Sequence, residues 1–101
     1  PDWDFTRGRA LPDAWINNAF SGWDGTARVC WPERGLRLTV TASPALDTCI
    51  LYSPGRDAGF FCLEPVSHPV DAFHLPGMPG LRLLRTGERL EVACSFAVEP
   101  C

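Results

Sequence analysis

The chain has 101 residues, enough for one domain at most, and it is 46% hydrophobic and 21% charged. This balance is ordinary for a globular protein and argues against disorder. The formal net charge is −3, and all nine basic residues are arginines scattered along the chain. The sequence therefore shows no basic cluster of the kind that binds a nucleic acid. No apolar run approaches the roughly 20 residues that span a bilayer, so we expect neither a nucleic-acid nor a membrane partner.

Short segments with strand-like patterning fill the chain between its ten prolines and nine glycines. The clearest is 35–42, where apolar and polar residues alternate with a period of two. A second alternating run, 89–98, places Leu90, Val92, Cys94, Phe96 and Val98 on one face. In chain order, strands are predicted at 26–31, 35–42, 47–52, 59–64 and 89–98.

The connections favour antiparallel pairing. The sequence Pro-Glu-Arg-Gly at 32–35 predicts a hairpin between the first two strands. Residues 65–80 contain four prolines and no periodicity, which predicts a long irregular loop of the kind that is usually functional. No helix of ten or more residues is expected. The predicted fold is all-β, an antiparallel β-sandwich.

Glu64 ends an apolar run and is followed at once by Pro65. Proline cannot donate to a sheet ladder, so it marks the edge or the end of a strand. Glu64 is therefore expected at the rim of the core, partly desolvated, where burial makes a carboxylate a better proton acceptor near neutral pH.

The five cysteines include no pair with the Cys-x-x-Cys spacing of a metal site. Because four of them sit in apolar stretches, we expect buried free thiols in a reducing compartment, the cytoplasm. Zinc binding and a disulfide framework are the less favoured alternatives, and no metal site is predicted.

Four segments, in order, resemble the C-terminal part of the aldose 1-epimerase (galactose mutarotase-like) family. They are Phe-Thr-Arg-Gly-Arg-Ala-Leu-Pro at 5–12, Ile-Asn-Asn-Ala-Phe-Ser-Gly-Trp-Asp-Gly at 16–25, Phe-Cys-Leu-Glu-Pro-Val-Ser-His-Pro at 61–69 and Val-Asp-Ala-Phe at 70–73. Each match is weak alone, whereas the ordered set is specific.

The resemblance implies that residues 1–101 are the C-terminal portion of a single large antiparallel sandwich, often called a supersandwich. It implies interconversion of the α and β anomers of an aldose by acid–base ring opening, with no cofactor because only protons move. The implied partners are a small aldose sugar and the missing N-terminal portion of the same domain. A non-catalytic carbohydrate-binding protein on the same fold is the alternative, because folds host many functions.

The resemblance also implies roles for three residues. Glu64 matches the family's general base, and Asn17 falls where a sugar-binding aspartate is usual. His68 follows Glu64 on the loop and is a candidate for substrate contact. The plainer interpretations are a solvated carboxylate for Glu64, turn chemistry for Asn17 and a surface position for His68. The family's catalytic histidines lie upstream of the aspartate, so neither His68 nor His74 matches the catalytic acid.

Overall fold

The computed structural model describes residues 3–101, so Pro1 and Asp2 of the predicted 1–101 domain lie outside the described residues. The strands are β1 (Ile16–Phe20), β2 (Thr26–Trp31), β3 (Leu36–Ala42), β4 (Thr48–Ser53), β5 (Cys62–Val66) and β6 (Cys94–Pro100). Two 3-10 turns, Pro32–Arg34 and Ala72–His74, are the helical elements of the described chain. No helix in residues 3–101 is long and apolar enough to cross a membrane.

The six strands form two antiparallel sheets of three. Sheet A has the order β1-β4-β5, and sheet B has the order β2-β3-β6. The predicted all-β, antiparallel architecture is therefore confirmed.

The two sheets present their apolar faces to a common groove of about 660 Å³. Side chains alternate across a strand, so Val29, Leu38, Val40 and Phe96 of sheet B share one face. Leu63 and Ser53 line the same groove from sheet A. We call the groove-lining side of each sheet its inner face and the opposite side its outer face.

Three of the five predicted strands agree with the structure to within one residue at each end, and two differ. The run 59–64 pairs with β4 only from Cys62 onward, and pairing continues through Pro65 to Val66. Pro65 thus lies inside β5, where an edge strand tolerates its missing N–H. The prediction that proline marks an edge is correct, and the alternative that it ends the strand is wrong.

The last strand begins at Cys94 and not at Arg89. Its partner β3 ends at Ala42, which pairs with Cys94, and Pro44 follows two residues later. Residues 89–93 therefore lack the ladder that their alternating pattern would suit. Hydrogen bonds between Ser43 and Ala93 close this end of the pair.

β1 is a strand that the sequence pattern did not reveal. Its two asparagines disfavour strand structure, and turn chemistry was one interpretation of them. In the structure all five residues pair with β4, so tertiary pairing overrides local propensity and the turn interpretation is wrong. The Phe5 ring packs edge-on against Phe20 at 5.8 Å, which ties the preceding segment to β1.

The hairpin between β2 and β3 is confirmed. Pro32–Arg34 form a 3-10 turn that ends at Gly35, whose φ of 62° lies in the left-handed region that glycine adopts without strain. The loop after β5 is irregular apart from Ala72–His74, as predicted.

Candidate functional site on the outer face of sheet A

Glu64 lies in the middle of the edge strand β5, directly opposite Ile50 of β4. Its side chain is exposed, although its strand neighbours are half-buried. The expected partial desolvation is therefore wrong. The cause is the register: Leu63 and Pro65 take the inner face, which leaves Glu64 on the outer face at the sheet edge.

Asn17 lies on the other edge of the same sheet. It is exposed and pairs with Tyr52, which in turn pairs with Cys62, two residues before Glu64. Paired residues share a face and so do residues two apart, which puts Asn17 and Glu64 on the same outer face. Strand spacing and rise place their Cα atoms about 12 Å apart. The two predicted residues thus flank one shallow surface, with β4 as its floor.

Tyr52 stands on this floor, half-buried and directly between Asn17 and Cys62 in the register. Its ring lies 6.4 Å from that of Phe60, tilted by 54°. Sequence reasoning did not single out Tyr52. The available signal was the period of two in β4, which becomes informative only once the partners of that strand are known.

His68 follows the end of β5 by two residues and is half-buried. Its Nδ1 lies 3.1 Å from the hydroxyl of Ser67. Gly80 packs directly against the backbone of Ser67 and His68. A Cβ at Gly80 would collide with the Ser67 carbonyl oxygen and lie 2.8 Å from the His68 Cα. The 65–80 loop therefore folds back on itself and fixes the start of the segment that carries His68.

Two other polar residues of the region have structural roles. His74 Nδ1 lies 2.6 Å from Asp71 Oδ1, with both side chains exposed, and Asp71 makes no side-chain cap to the backbone. Trp23 donates its indole N–H to the Thr26 carbonyl at 2.9 Å, which fixes its ring in the turn before β2.

Cys49 is buried beneath the Glu64 region, opposite Pro65. Burial raises the pKa of its thiol to about 11, a hydrogen bond from the Glu64 backbone opposes this shift, and the Glu64 charge adds to it. Cys49 is thus protonated at neutral pH. The expectation of buried thiols in apolar stretches holds for Cys49, is met only in part by the half-buried Cys62, and is wrong for Cys30 and Cys94, which are exposed free thiols.

The outer face of sheet A offers few proton donors. Its members, by register, are Asn17, Ala19, Thr48, Ile50, Tyr52, Cys62, Glu64 and Val66. Glu64 is the one carboxylate among them, and no histidine lies on these three strands. No group of three or more potential metal ligands is found in residues 3–101. The face can therefore accept a proton at Glu64 and hydrogen-bond hydroxyl groups at Asn17.

Comparison with known proteins supports the predicted family. No family model matches the chain. The chain is 36% identical over 102 aligned positions to the uncharacterized protein YphB of Escherichia coli K12, covering 95% of this chain and 35% of YphB.

Its fold superposes on the crystal structure of a "putative aldose 1-epimerase" from Escherichia coli K12 with a TM-score of 0.89 and 33% identity. That match covers 99% of this chain and 36% of the other. The chain thus spans about a third of the length of the relatives that it matches. The predicted resemblance is thus confirmed as a likeness, in both sequence and fold, to a part of that structure.

Proposed function

We propose that residues 1–101 supply the general base, Glu64, of an enzyme that interconverts the anomers of an aldose. The observation that carries the proposal is the common outer face of Glu64 and Asn17, two residues chosen from sequence and 47 positions apart. The likeness to a structure described as a putative aldose 1-epimerase supports the choice of reaction.

In this proposal Glu64 removes the proton of the C1 hydroxyl. The C1 oxygen then forms a carbonyl, the bond from C1 to the ring oxygen breaks, and a general acid protonates the ring oxygen. Rotation about C1–C2 and reclosure give the other anomer. Each well-placed acid or base contributes roughly 10²–10⁴-fold. The exposure of Glu64 suits a base that must meet the substrate before water is excluded.

Asn17 binds a sugar hydroxyl, which its amide can both donate to and accept from. His68 contacts the substrate at the end of the same strand that carries Glu64. The outer face of sheet A has no histidine within the described residues, so we assign the acid to a part of the protein outside residues 1–101. No cofactor is required, since only protons move.

The chain's proposed setting is a larger protein. Residues 1–101 form one portion of a larger sandwich domain, whose missing N-terminal portion covers the groove and the fully exposed β6. The substrate is a small aldose. The five free thiols fit a reducing compartment, and we propose the cytoplasm.

A non-catalytic carbohydrate-binding protein is the second candidate. It is favoured by the neutral Asn17, at a position where the family resemblance implies an aspartate, and by the lack of an acid on the described face. In that case the intact protein would bind an aldose without accelerating its mutarotation.

The test is polarimetric mutarotation of glucose and galactose by the complete protein that contains these residues. Glu64→Gln should lower kcat by roughly 10²–10⁴-fold, the usual contribution of a general base, and leave sugar affinity nearly unchanged. Glu99→Gln is the matched control, since Glu99 is an exposed strand glutamate of sheet B. Equal rates for Glu64→Gln and wild type would exclude the assigned base, whereas sugar binding without any wild-type rate would establish the second candidate.

A further inference from the structure

The end of sheet A that carries Asn17 is closed by an ion pair outside the strands. Arg56 donates from Nε to Asp13 Oδ1 at 3.0 Å and from Nη2 to Asp13 Oδ2 at 2.7 Å. The Arg56 backbone N–H donates to the Asp13 carbonyl at 2.9 Å. Hydrogen bonds of both side chain and backbone thus join the segment before β1 to the segment after β4. We call Asp13 and Arg56 the clamp.

The clamp continues the β1–β4 ladder beyond a gap. The last pair of the ladder is Ile16 with Ser53, and the clamp residues lie three positions beyond this pair in each segment. Within the gap, Pro54 has no N–H to donate, and Gly55 has a φ of 137°, in the region that favours glycine. A Cβ at Gly55 would lie 3.1 Å from the Asp13 carbonyl oxygen, so the two segments are in close contact. The clamp therefore resumes a pairing that Pro54 and Gly55 interrupt.

The geometry of the clamp distinguishes it from an ordinary surface ion pair. Both of its side chains are exposed, and exposed ion pairs contribute little as a rule. A two-pronged contact between arginine and a carboxylate, however, fixes orientation as well as distance. Arg89 and Glu91 provide the contrast, because they form an exposed ion pair at 3.0 Å between residues two apart and join no separate segments.

The start of β1 depends on such support. β1 is an edge strand of five residues, and its residues Asn17 and Asn18 have low strand propensity. Local opening begins at frayed ends, and Asn17 is the second residue of β1 from the end nearest the clamp. The clamp also anchors residues 54–61, whose Phe60 ring contacts Tyr52, the partner of Asn17. Loss of the clamp should therefore loosen Asn17 and its surroundings first.

Building on the proposed function, we infer that Asp13 and Arg56 are positioning residues that hold the Asn17 amide where it meets a sugar hydroxyl. They act through the β1–β4 ladder, by keeping Asn17 paired with Tyr52 and its side chain on the outer face. Glu64 lies on β5, which pairs with β4 at the opposite edge of the sheet. The clamp therefore supports sugar binding and not proton removal.

The first test is the mutarotation kinetics of the complete protein that contains these residues. Arg56→Met should raise KM about three- to tenfold, the loss of one hydrogen bond, and change kcat by less than about twofold. A rise in KM at constant kcat indicates lost binding that substrate and transition state share. Exchange of the pair, as Asp13→Arg with Arg56→Asp, should return KM to within about twofold of wild type. Glu91→Gln is the matched control, and it should leave both constants unchanged.

The second test is amide hydrogen exchange of the same proteins without sugar, which does not depend on activity. Arg56→Met should speed exchange in β1 by at least about threefold and leave exchange in β5 unchanged. Unchanged exchange in β1 would overturn the inference, and so would an unchanged KM or a fall in kcat as large as the rise in KM.

An inactive wild type that still binds sugar would refute the proposed reaction and not the clamp. The dissociation constant of the sugar should then rise by the same three- to tenfold factor in Arg56→Met, and an unchanged constant would overturn the inference. A wild type that neither binds nor converts an aldose would overturn both proposals.

Discussion

Sheets A and B have the same number of strands and the same antiparallel pairing, yet they differ in how their central strands are covered. Four of the six residues of β4 in sheet A are buried. In β3 of sheet B only Val40 is buried, and every residue of β6 is exposed. The inner face of β4 is therefore buried at Cys49, Leu51 and Ser53, while the apolar inner face of sheet B opens into the groove.

The difference shows that a strand can be fully paired while its apolar side chains remain exposed. Sheet B has a complete hydrogen-bond ladder over seven residues of β3 and β6, but Phe96 and Val98 remain 66% and 68% exposed. A ladder satisfies backbone groups, whereas most of the favourable free energy of folding comes from removing apolar surface from water. Three changes to the chain test this contrast, in order of decreasing effect.

Removing a large side chain should cost far more in sheet A than in sheet B. Ile16 is 0% exposed, and Ile16→Ala should lower the free energy of unfolding by about 2–5 kcal/mol through lost burial and the cavity left behind. Phe96→Ala should cost only about 0.5 kcal/mol, as for a surface substitution. Urea denaturation of the chain gives both values. Equal losses would mean that the groove is closed in solution by another surface.

The loop after β5 should depend on the conformation at Gly80. Gly80→Ala places a Cβ against the Ser67 carbonyl at a φ of 75°, so we expect a loss of at least about 2 kcal/mol and a changed NMR signal from His68. Gly77→Ala is the control, since its φ of 76° is nearly identical and its Cβ would meet nothing within 4 Å. It should cost only the left-handed backbone penalty, about 1 kcal/mol. A loss for Gly77→Ala as large as that for Gly80→Ala would rule out the close contact.

The burial of Cys49 should make the stability of sheet A depend on alkaline pH. The pKa of the thiol is raised from its ordinary 9.0 to about 11 in the folded chain, so the folded state holds this proton more tightly than the unfolded state. The stabilisation is complete below pH 9 and is lost as the pH rises toward 11. Cys49→Val lacks this titration, so its stability relative to wild type should rise between pH 8 and pH 10.5 in urea denaturation. The exposed Cys94→Ser variant should show no such gain, and a constant difference for Cys49→Val would contradict the buried thiol.

The sequence pattern predicted the strands and turns that depend on residues close together in the chain. The period of two in β3 and the Pro-Glu-Arg-Gly hairpin were both recoverable, because alternation and turn chemistry act over a few residues. The four ordered segments were likewise sufficient to identify the family resemblance. Glu64 and Asn17 were selected at this level, from the motifs that contain them.

Only the tertiary structure decided which strands pair and where they stop. β1 is a strand because all five of its residues pair with β4. β6 begins at Cys94 because its partner β3 ends at Ala42, the residue opposite. Register then set the face of each side chain, since a shift of one residue moves it to the other side of the sheet. That is why Glu64 is exposed where burial was expected, and why it shares a face with Asn17.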